Sequence, residues 1–557
     1  MAIPSRSERY RTIVGIMFDE GFGTLVDQLG FKHGWLGSLR GGLPKQSEAQ
    51  FTPEQRLRRM MERLGPTFAK IGQLLSVRPD LIPASYAAEL ARLQDEMEPF
   101  PFAQVRVAVE SAFGGSLEEL FLEFDEVPAA AASIGQVHMA VLTDGTPVAV
   151  KVQRPGVHEI IESDLDILRT QARRIQGRTD LGRRYDLVGL ANEFARVIRE
   201  ETDYIREGEN AERLGVLFAE DESVYFPKIY WERTSETVLT MERIEGIPFN
   251  DLKQIDAQGV DRPLIAREGI VCYYEQIFIH GFYHADPHPG NLFALPEGAV
   301  AFTDFGRCGE LTRQARLLVA DLLIAIMEQD GDGCADVLLE VSGGGRPDTD
   351  RAGLAADAKA LVTKYYDLEL HEVDSRVMVV EIMSLVGRHG LTMDSEFALL
   401  LTTLATLQAL ATNVDPTFHF VDSVRPFAER LVKDEMEPAA LAKGFASTMR
   451  SAMKSMQALP EQVTRALRRV GDGSLSMTVR PGGFDPLMAR FEIIADRLAF
   501  ALVVSSFVVG LSFLLTRTDL PWYVELIAGV TLVASAGVGV FFFMSILVRR
   551  FRQRGPL

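Results

Sequence analysis

"GFYHADPHPGN", residues 281–291, admits two readings. His284-x-Asp286-x-His288 has the spacing of a metal clamp. Asp286 with Asn291 five positions later is also the D-x-x-x-x-N of a phosphoryl-transfer loop. Three ligands at a spacing of two share a face only on a strand, and Pro287 and Pro289 disfavour a strand there. The flanking sequence favours the second reading. Upstream, "VAVKVQ" (148–153) carries Lys151 on an alternating apolar run, and V-A-[IV]-K is the phosphate-gripping strand of kinases. Downstream, "FTDFG" (302–306) carries Asp304-Phe305-Gly306. A lone D-F-G or a lone strand lysine says little, since most strand lysines face solvent. The ordered set is informative because each member has its own task. Lys151 neutralises the α/β-phosphates, while Asn291 and Asp304 offer hard oxygen ligands to Mg²⁺. Asp286 orients the attacking hydroxyl or water and accepts its proton.

The strand bearing Lys151 is the second half of "SIGQVHMAVLTDGTPVAVKVQ" (133–153), two alternating runs joined at Asp144-Gly145, a strong hairpin signature. Val148, Val150 and Val152 share one face, Ala149 and Lys151 the other. Before it, a helical pattern starts at Thr52 with Pro53 in the first turn, and "LGPTFAKIGQLLSVRPDLIP" (64–83) continues it until Pro79 and Pro83. Residues 158–215 read as helices, 224–241 as two short strands and 262–420 as a largely helical block. A short amphipathic helix fits residues 10–29. A small β-containing unit before a larger helical one is the layout of a two-lobed kinase fold.

Composition narrows the class. The chain has 557 residues, 47% hydrophobic and 24% charged, enough for a large core. A formal charge of −19 offers no net basic field for nucleic acid. Cys272, Cys308 and Cys334 match neither a disulfide framework nor a zinc spacing, so a reducing compartment is the default. Near the C-terminus, residues 498–515 and 526–548 are uncharged apolar runs of 18 and 23 residues, each long enough to cross a hydrocarbon core of about 30 Å. Arg490 and Arg497 precede the first, and Arg549, Arg550, Arg552 and Arg554 follow the second. The short connection holds Arg517, balanced by Asp519 and Glu525, with Trp522 and Tyr523 as interfacial anchors. The positive-inside rule places both flanks, and with them the soluble body, on the cytoplasmic side of the cell's inner membrane. Neither run carries a polar residue marking a transport path, which argues against a transporter.

Several departures from a protein kinase stand out. "PAAAASIGQV" (128–137) replaces the Gly-rich loop, Ala285 rather than arginine precedes Asp286, and no A-P-E follows the D-F-G. The equipment for docking and regulating peptides is therefore missing, which favours ATP hydrolysis or a small-molecule substrate. In "IREETDYIREGENAER" (198–213), Asp203 and Glu207 are like charges at i, i+4, which motivates a cation near Glu207, with Lys151 as the candidate.

Taken together, "KIGQ" (70–73), "AAAS" (130–133) running into "SIGQVH", "VAVKVQ", "ETDYIREGEN" (201–210), "HADPHPGN" and "TDFG" resemble the UbiB (AarF-domain) family of atypical protein-kinase-like proteins. The motifs span roughly residues 50–310, and such members commonly carry a C-terminal transmembrane pair. The resemblance implies an α+β, two-lobed protein-kinase-like fold with an N-terminal helical extension and a C-terminal two-helix transmembrane hairpin. Its parts would be an N-terminal membrane-proximal segment (1–50), the extension (51–125), the N-lobe (126–250), the helical C-lobe (251–420), a helical linker (421–495) and the hairpin with its basic tail (496–557). Lys70 and Gln73 would lie on the extension over the active site, with Lys70 meeting Glu201 and Asp203. Ala130, Ala131, Ala132 and Ser133, with Val137, would cover the nucleotide, and Glu207 would pair with Lys151. Met241, Glu242 and Ile244 would form the adenine-binding hinge. Asp286 would be the catalytic-loop aspartate, with Asn291 and Asp304 on the metal. ATP and Mg²⁺ are the implied cofactors. The implied activity is a membrane-linked ATPase serving ubiquinone or related prenyl lipids, with a biosynthetic enzyme complex as partner. Gly208 departs from the family's usual alanine and is expected to loosen its helix by about 1 kcal/mol. A small-molecule kinase and a catalytically idle nucleotide-binding scaffold remain the alternatives.

Overall fold

The computed structural model describes residues 5–23, 51–76, 78, 81–93, 98–177, 186–296, 298–343, 349–366, 375–391 and 393–436. The expected transmembrane hairpin and all but the start of the linker lie outside them. Among the described residues, the one helix long and apolar enough to cross a membrane is Glu396–Val414, and two thirds of it is buried inside the protein.

Four helices come first: α1 (Arg6–Asp19), α2 (Pro53–Leu64), α3 (Pro66–Ser76) and α4 (Ala84–Leu90). Thr52 and Gln55 form a reciprocal capping box at the start of α2, with Pro53 in the first turn. Gly65, at φ +96°, makes the turn into α3, a conformation L side chains rarely adopt. Ile13, Val14, Met17, Met60, Met61, Leu64, Phe68 and Leu90 bury their side chains together. Gly72 permits close packing there, since a Cβ would lie 2.4 Å from a Leu93 methyl.

α5 (Phe102–Phe113) and α6 (Leu117–Leu120) lead into the first sheet, formed by β1 (Phe121–Phe124), β2 (Ala130–Ala131), β3 (Gly135–Leu142), β4 (Pro147–Gln153) and β6 (Val238–Glu242). Its order is β1-β3-β4-β6, with β2 pairing the start of β3 on the same edge as β1, and every pairing is antiparallel. The β3–β4 hairpin turns at Gly145, φ +89°. Val148, Val150 and Val152 are fully buried against Val105 and Val109 of α5, so Lys151 faces the opposite side. β1 thus brings the end of the stretch read as helical extension into the sheet.

α7 (Val157–Ile175), α8 (Leu187–Glu201) and α9 (Tyr204–Leu217) follow, then β5 (Val224–Tyr225). α7 and α8 carry the four-helix extension: Ile71 and Leu74 pack with Ile161, Leu165, Phe194 and Ile198, and Arg9 holds the fully buried Asp164 at 2.7 Å.

The second lobe runs from β7 (Ile247–Pro248) through α10 (Leu252–Ala257) and α11 (Arg262–Tyr274), then β8 (Phe282–His284), β9 (Leu292–Ala294), β10 (Val300–Phe302) and β11 (Cys308–Glu310). The stretch read as helical therefore opens with a helix but then carries four short strands, which join β5 and β7 in the order β5-β10-β9-β7 and pair as β11-β8. α12 (Arg313–Met327), α13 (Gly331–Val341), α14 (Arg351–Tyr366), α15 (Ser375–Arg388), α16 (Ser395–Val414) and α17 (Phe420–Met436) complete it. The stretch read as the start of a linker is α17, whose Val424 and Ala428 are buried in this lobe's core. Between α11 and β8 the chain winds as a π-helix, Glu275–His280, a local widening frequent at functional sites.

Candidate active site

Lys151 stands in register between Val137 of β3 and Leu239 of β6. Its ammonium donates to both Glu207 oxygens, at 2.9 and 3.0 Å, and to Asp304 Oδ1 at 3.3 Å. Glu207 sits one turn into α9 and is 1% exposed, so a single cation compensates two carboxylates. Their environments split them. Burial pushes the Glu207 carboxyl up to about 7, against the pull of Lys151. Lys151 pulls Asp304 down to about 2, aided by Lys70. Burial draws the Lys151 ammonium down, but Asp304 and Glu207 outweigh it and hold it well above the ordinary lysine value. Carboxylates driven apart in this way are a usual mark of a functional site.

Asp304 adopts φ +57°, unusual for a non-glycine residue. The next residue, Phe305, is fully buried against His284 and Phe226. Asn210 of α9 donates to the Phe305 carbonyl at 3.0 Å. One helix therefore supplies both the acid that holds Lys151 and the amide that pins the segment after Asp304.

The two readings of residues 281–291 separate on geometry. His284 is fully buried, and both ring nitrogens are engaged. Nε2 donates to the Asp304 carbonyl at 2.8 Å, which leaves Nδ1 to accept from the Tyr273 hydroxyl at 3.2 Å and the Asp286 amide at 3.3 Å. Gln276, on the π-helical segment, accepts from the His284 amide at 2.8 Å. His284 thus staples the loop to Asp304. His288 is exposed and takes the Gly290 amide at 3.1 Å. Among the described residues no group of three or more His, Cys, Asp or Glu side chains is arranged to hold a metal. Asn291 lies beside Asp286, donating to its Oδ2 at 3.2 Å and its carbonyl at 3.3 Å. With the side-chain nitrogen spent on Asp286 and the backbone oxygen taken by Thr303, the side-chain Oδ1 of Asn291 is the atom it can offer to a metal. Together with the ionised, half-exposed Asp304 carboxylate, it makes a hard-oxygen pair that suits Mg²⁺ completed by phosphate and water.

The remaining predicted residues divide. Lys70 Nζ lies 3.6 Å from Glu201 Oε2. Asp203 caps α9, accepting from the Ile205 and Arg206 amides at 3.1 and 3.2 Å. Gln73 stays within the extension, donating to the Leu93 carbonyl at 3.4 Å. Ala130 and Ala131 pair with Val137 and Gln136, and Ala132 donates its amide to the Gly135 carbonyl at 2.8 Å. The alanine strip is thus a short hairpin edge leading through the buried Ser133 into β3. Met241 is buried opposite Ala149. Glu242 spends both oxygens on the Tyr225 hydroxyl at 2.8 Å and its amide on the Lys228 carbonyl; Ile244 follows just beyond the strand. Beside the site, a polar cleft of about 570 Å³ is lined by Glu201, Asp203, Asn210, Arg206, Gly306 and Arg307.

Gly208 has a packing reason. It is buried, and a Cβ there would lie 2.9 Å from the Trp231 ring. Sequence reading missed Tyr204, whose ring lies under Lys151, and Tyr273 behind His284.

Residues 92–338 match the ABC1 atypical kinase-like domain, and residues 482–548 the ABC1/UbiB kinase-like C-terminal domain. The probable protein kinase UbiB of Cellvibrio japonicus is 34% identical, over 75% of this chain and 76% of its own. The chain belongs to the ABC1/UbiB family. Its described fold is accordingly the mixed α/β kinase-like one. The chain is also similar to an uncharacterized Synechocystis protein, 31% identical over 86% of this chain and 82% of that one. A further similar protein is Protein ACTIVITY OF BC1 COMPLEX KINASE 3, chloroplastic, of Arabidopsis thaliana, 37% identical over 68% of this chain and 53% of that one.

Proposed function

We propose that this protein is a membrane-tethered, Mg²⁺-dependent ATPase of kinase-like build that serves the handling of ubiquinone or related prenyl lipids. The observation that carries the reading is the joining of Lys151 to Glu207 and Asp304, while His284 staples the Asp286–Asn291 loop to the same Asp304. Lys151, held charged by two acids, neutralises the α/β-phosphates. Asn291 and Asp304 hold Mg²⁺, which when bound offsets charge on the transferring phosphate. Asp286, fixed by the Asn291 amide, orients the attacking oxygen and takes its proton. Adenine sits against the segment Met241–Glu242–Ile244, under Val137 and the Ala130–Ser133 strip. Lys70 and Gln73, on a helix beside Glu201 and Asp203, close the side where a peptide would dock, which favours water as acceptor. Membrane tethering rests on the apolar runs 498–515 and 526–548, which fall within the match to the family's C-terminal domain. The body then lies on the cytoplasmic face, with quinone or prenyl-lipid intermediates, and an enzyme complex that uses them, as partners.

The test is turnover of γ-labelled ATP by the full chain with Mg²⁺, with and without liposomes. Free phosphate that rises with membranes is the expected result. Label on a small molecule or protein would make the activity that of a kinase, and no turnover under any condition would overturn the reading.

A further inference from the structure

Tyr204 opens α9, three residues before Glu207 and on the same face of that helix. Its side chain is 1% exposed, and Lys151 Nζ lies 5.4 Å from its ring centroid, a cation–π arrangement. Yet the hydroxyl has no hydrogen-bond partner among the described residues. Buried hydroxyls are nearly always paired, and each exception asks for an explanation. A phenylalanine would fill the same volume without the desolvation cost.

Where the hydroxyl points supplies the explanation. It lies against Gly135: a Cβ at that position would come within 2.4 Å of the phenol oxygen and 2.6 Å of the Val152 carbonyl. Only a glycine lets the phenol approach this closely. Gly135 begins β3 directly after the Ala130–Ser133 strip. The phenol oxygen therefore lies against the start of β3, just after that strip, while its ring faces the Lys151 ammonium. It sits within the field of Glu207 and Asp304, whose oxygens go to Lys151 instead. An O–H donor beside a phosphate-directed cation, with no acceptor of its own, lacks one oxygen acceptor.

We propose that the Tyr204 hydroxyl donates a hydrogen bond to a phosphate oxygen of the bound nucleotide, as a binding residue next to Lys151. This rests on the nucleotide reading given above. Lys151 supplies charge, and the phenol supplies direction from the side of α9.

Tyr204→Phe tests it, because the ring and its packing are kept. Calorimetric titrations of wild type and variant would use ATP, ADP and adenosine with Mg²⁺, alongside melting curves without ligand. The variant should melt at the wild-type temperature or slightly above, since no internal hydrogen bond is lost. ATP and ADP should bind about tenfold more weakly, equivalent to about 1.4 kcal/mol, while adenosine binds as before. Equal ATP and ADP affinities in the two proteins would overturn the assignment and leave the nucleotide reading standing. A variant that melts lower and binds all three ligands as wild type does would assign the hydroxyl a purely structural role. Wild type that binds none of the three would overturn both readings.

Discussion

Two lysines beside the site, one on the sheet and one on the extension, are held differently. Each is 18% exposed. Lys151, on the sheet, makes two hydrogen bonds of 2.9 and 3.0 Å to an acid that is itself 1% exposed, and a third to Asp304. Lys70, on the extension, reaches Glu201 at 3.6 Å, and that acid is 13% exposed. Burial is matched, so geometry makes the difference. The Lys151 cluster is multiply bonded and joins β4 to α9 and, through Asp304, to the second lobe. The Lys70 contact joins two helices at ion-pair distance without hydrogen-bond geometry. The Lys70–Glu201 pair is thus the looser of the two, although Arg78 also ties the extension to Glu193 of α8 at 3.3 Å.

The largest effect belongs to Lys151→Met. It leaves Glu207 and Asp304 facing each other without a cation and removes the charge meant for the phosphates. Turnover should fall by roughly 100-fold or more, whereas stability in urea should fall by less than the roughly 3–5 kcal/mol expected for a broken buried ion pair, because Glu207 can take up a proton. Turnover within threefold of wild type would place the chemistry elsewhere.

Next comes pH. Glu207, held at about 7, must lose its proton to pair with Lys151, so turnover should climb through pH 7 and flatten about a unit above. The limb should vanish in Glu207→Gln, which should be slow throughout. The stability linkage has the opposite slope. An acid whose folded value lies above its ordinary 4.5 favours the protonated fold. Its contribution is full below pH 4.5 and is lost as pH rises through 7. Asp304, lowered to about 2, contributes above its ordinary value and loses that contribution as pH falls through 2. Urea titrations of wild type and Glu207→Gln between pH 5 and 8 would show the Glu207 slope only in wild type.

Lys70→Met leaves Glu201, 13% exposed, without this cation and should cost roughly 1–3 kcal/mol; it should speed amide exchange in residues 66–76 and leave exchange around Lys151 unchanged. Equal speeding at both places would erase the contrast between the two lysines. The smallest effect is expected at Gly208→Ala. The helix-propensity gain of about 1 kcal/mol is offset by the Cβ pressing on the Trp231 ring, which is partly exposed and can move. A net change within about 1 kcal/mol in urea melts is expected, with altered Trp231 fluorescence.

Lys151, Asp286, Asn291 and Asp304 are legible in the sequence because each sits in a short motif framed by apolar strands, and the structure brings Lys151 to Asp304 and Asp286 to Asn291. The hairpin is legible because Asp144-Gly145 separates two runs of strict alternation. Tyr204 is not, since one aromatic at a helix start has no periodic signature, and its place under Lys151 exists only once the sheet meets α9. The π-helical turn Glu275–His280 leaves no compositional trace, yet it aims Gln276 at His284. Gly208 reads as a weak point in a helix, whereas the ring of Trp231, distant in sequence, occupies the space a methyl would need. The histidines of residues 281–291 look equivalent on paper. Only packing turns His284 inward and leaves His288 in water.

The most direct measurement of the site is a calorimetric titration of ATP into wild type and Asp304→Asn, each with and without Mg²⁺. The expected result is Mg²⁺-strengthened binding in wild type that the variant loses by roughly tenfold or more, with the two proteins alike when Mg²⁺ is absent. Equal, Mg²⁺-independent binding by both would contradict the assignment of Asp304 and Asn291 to a metal-bound nucleotide.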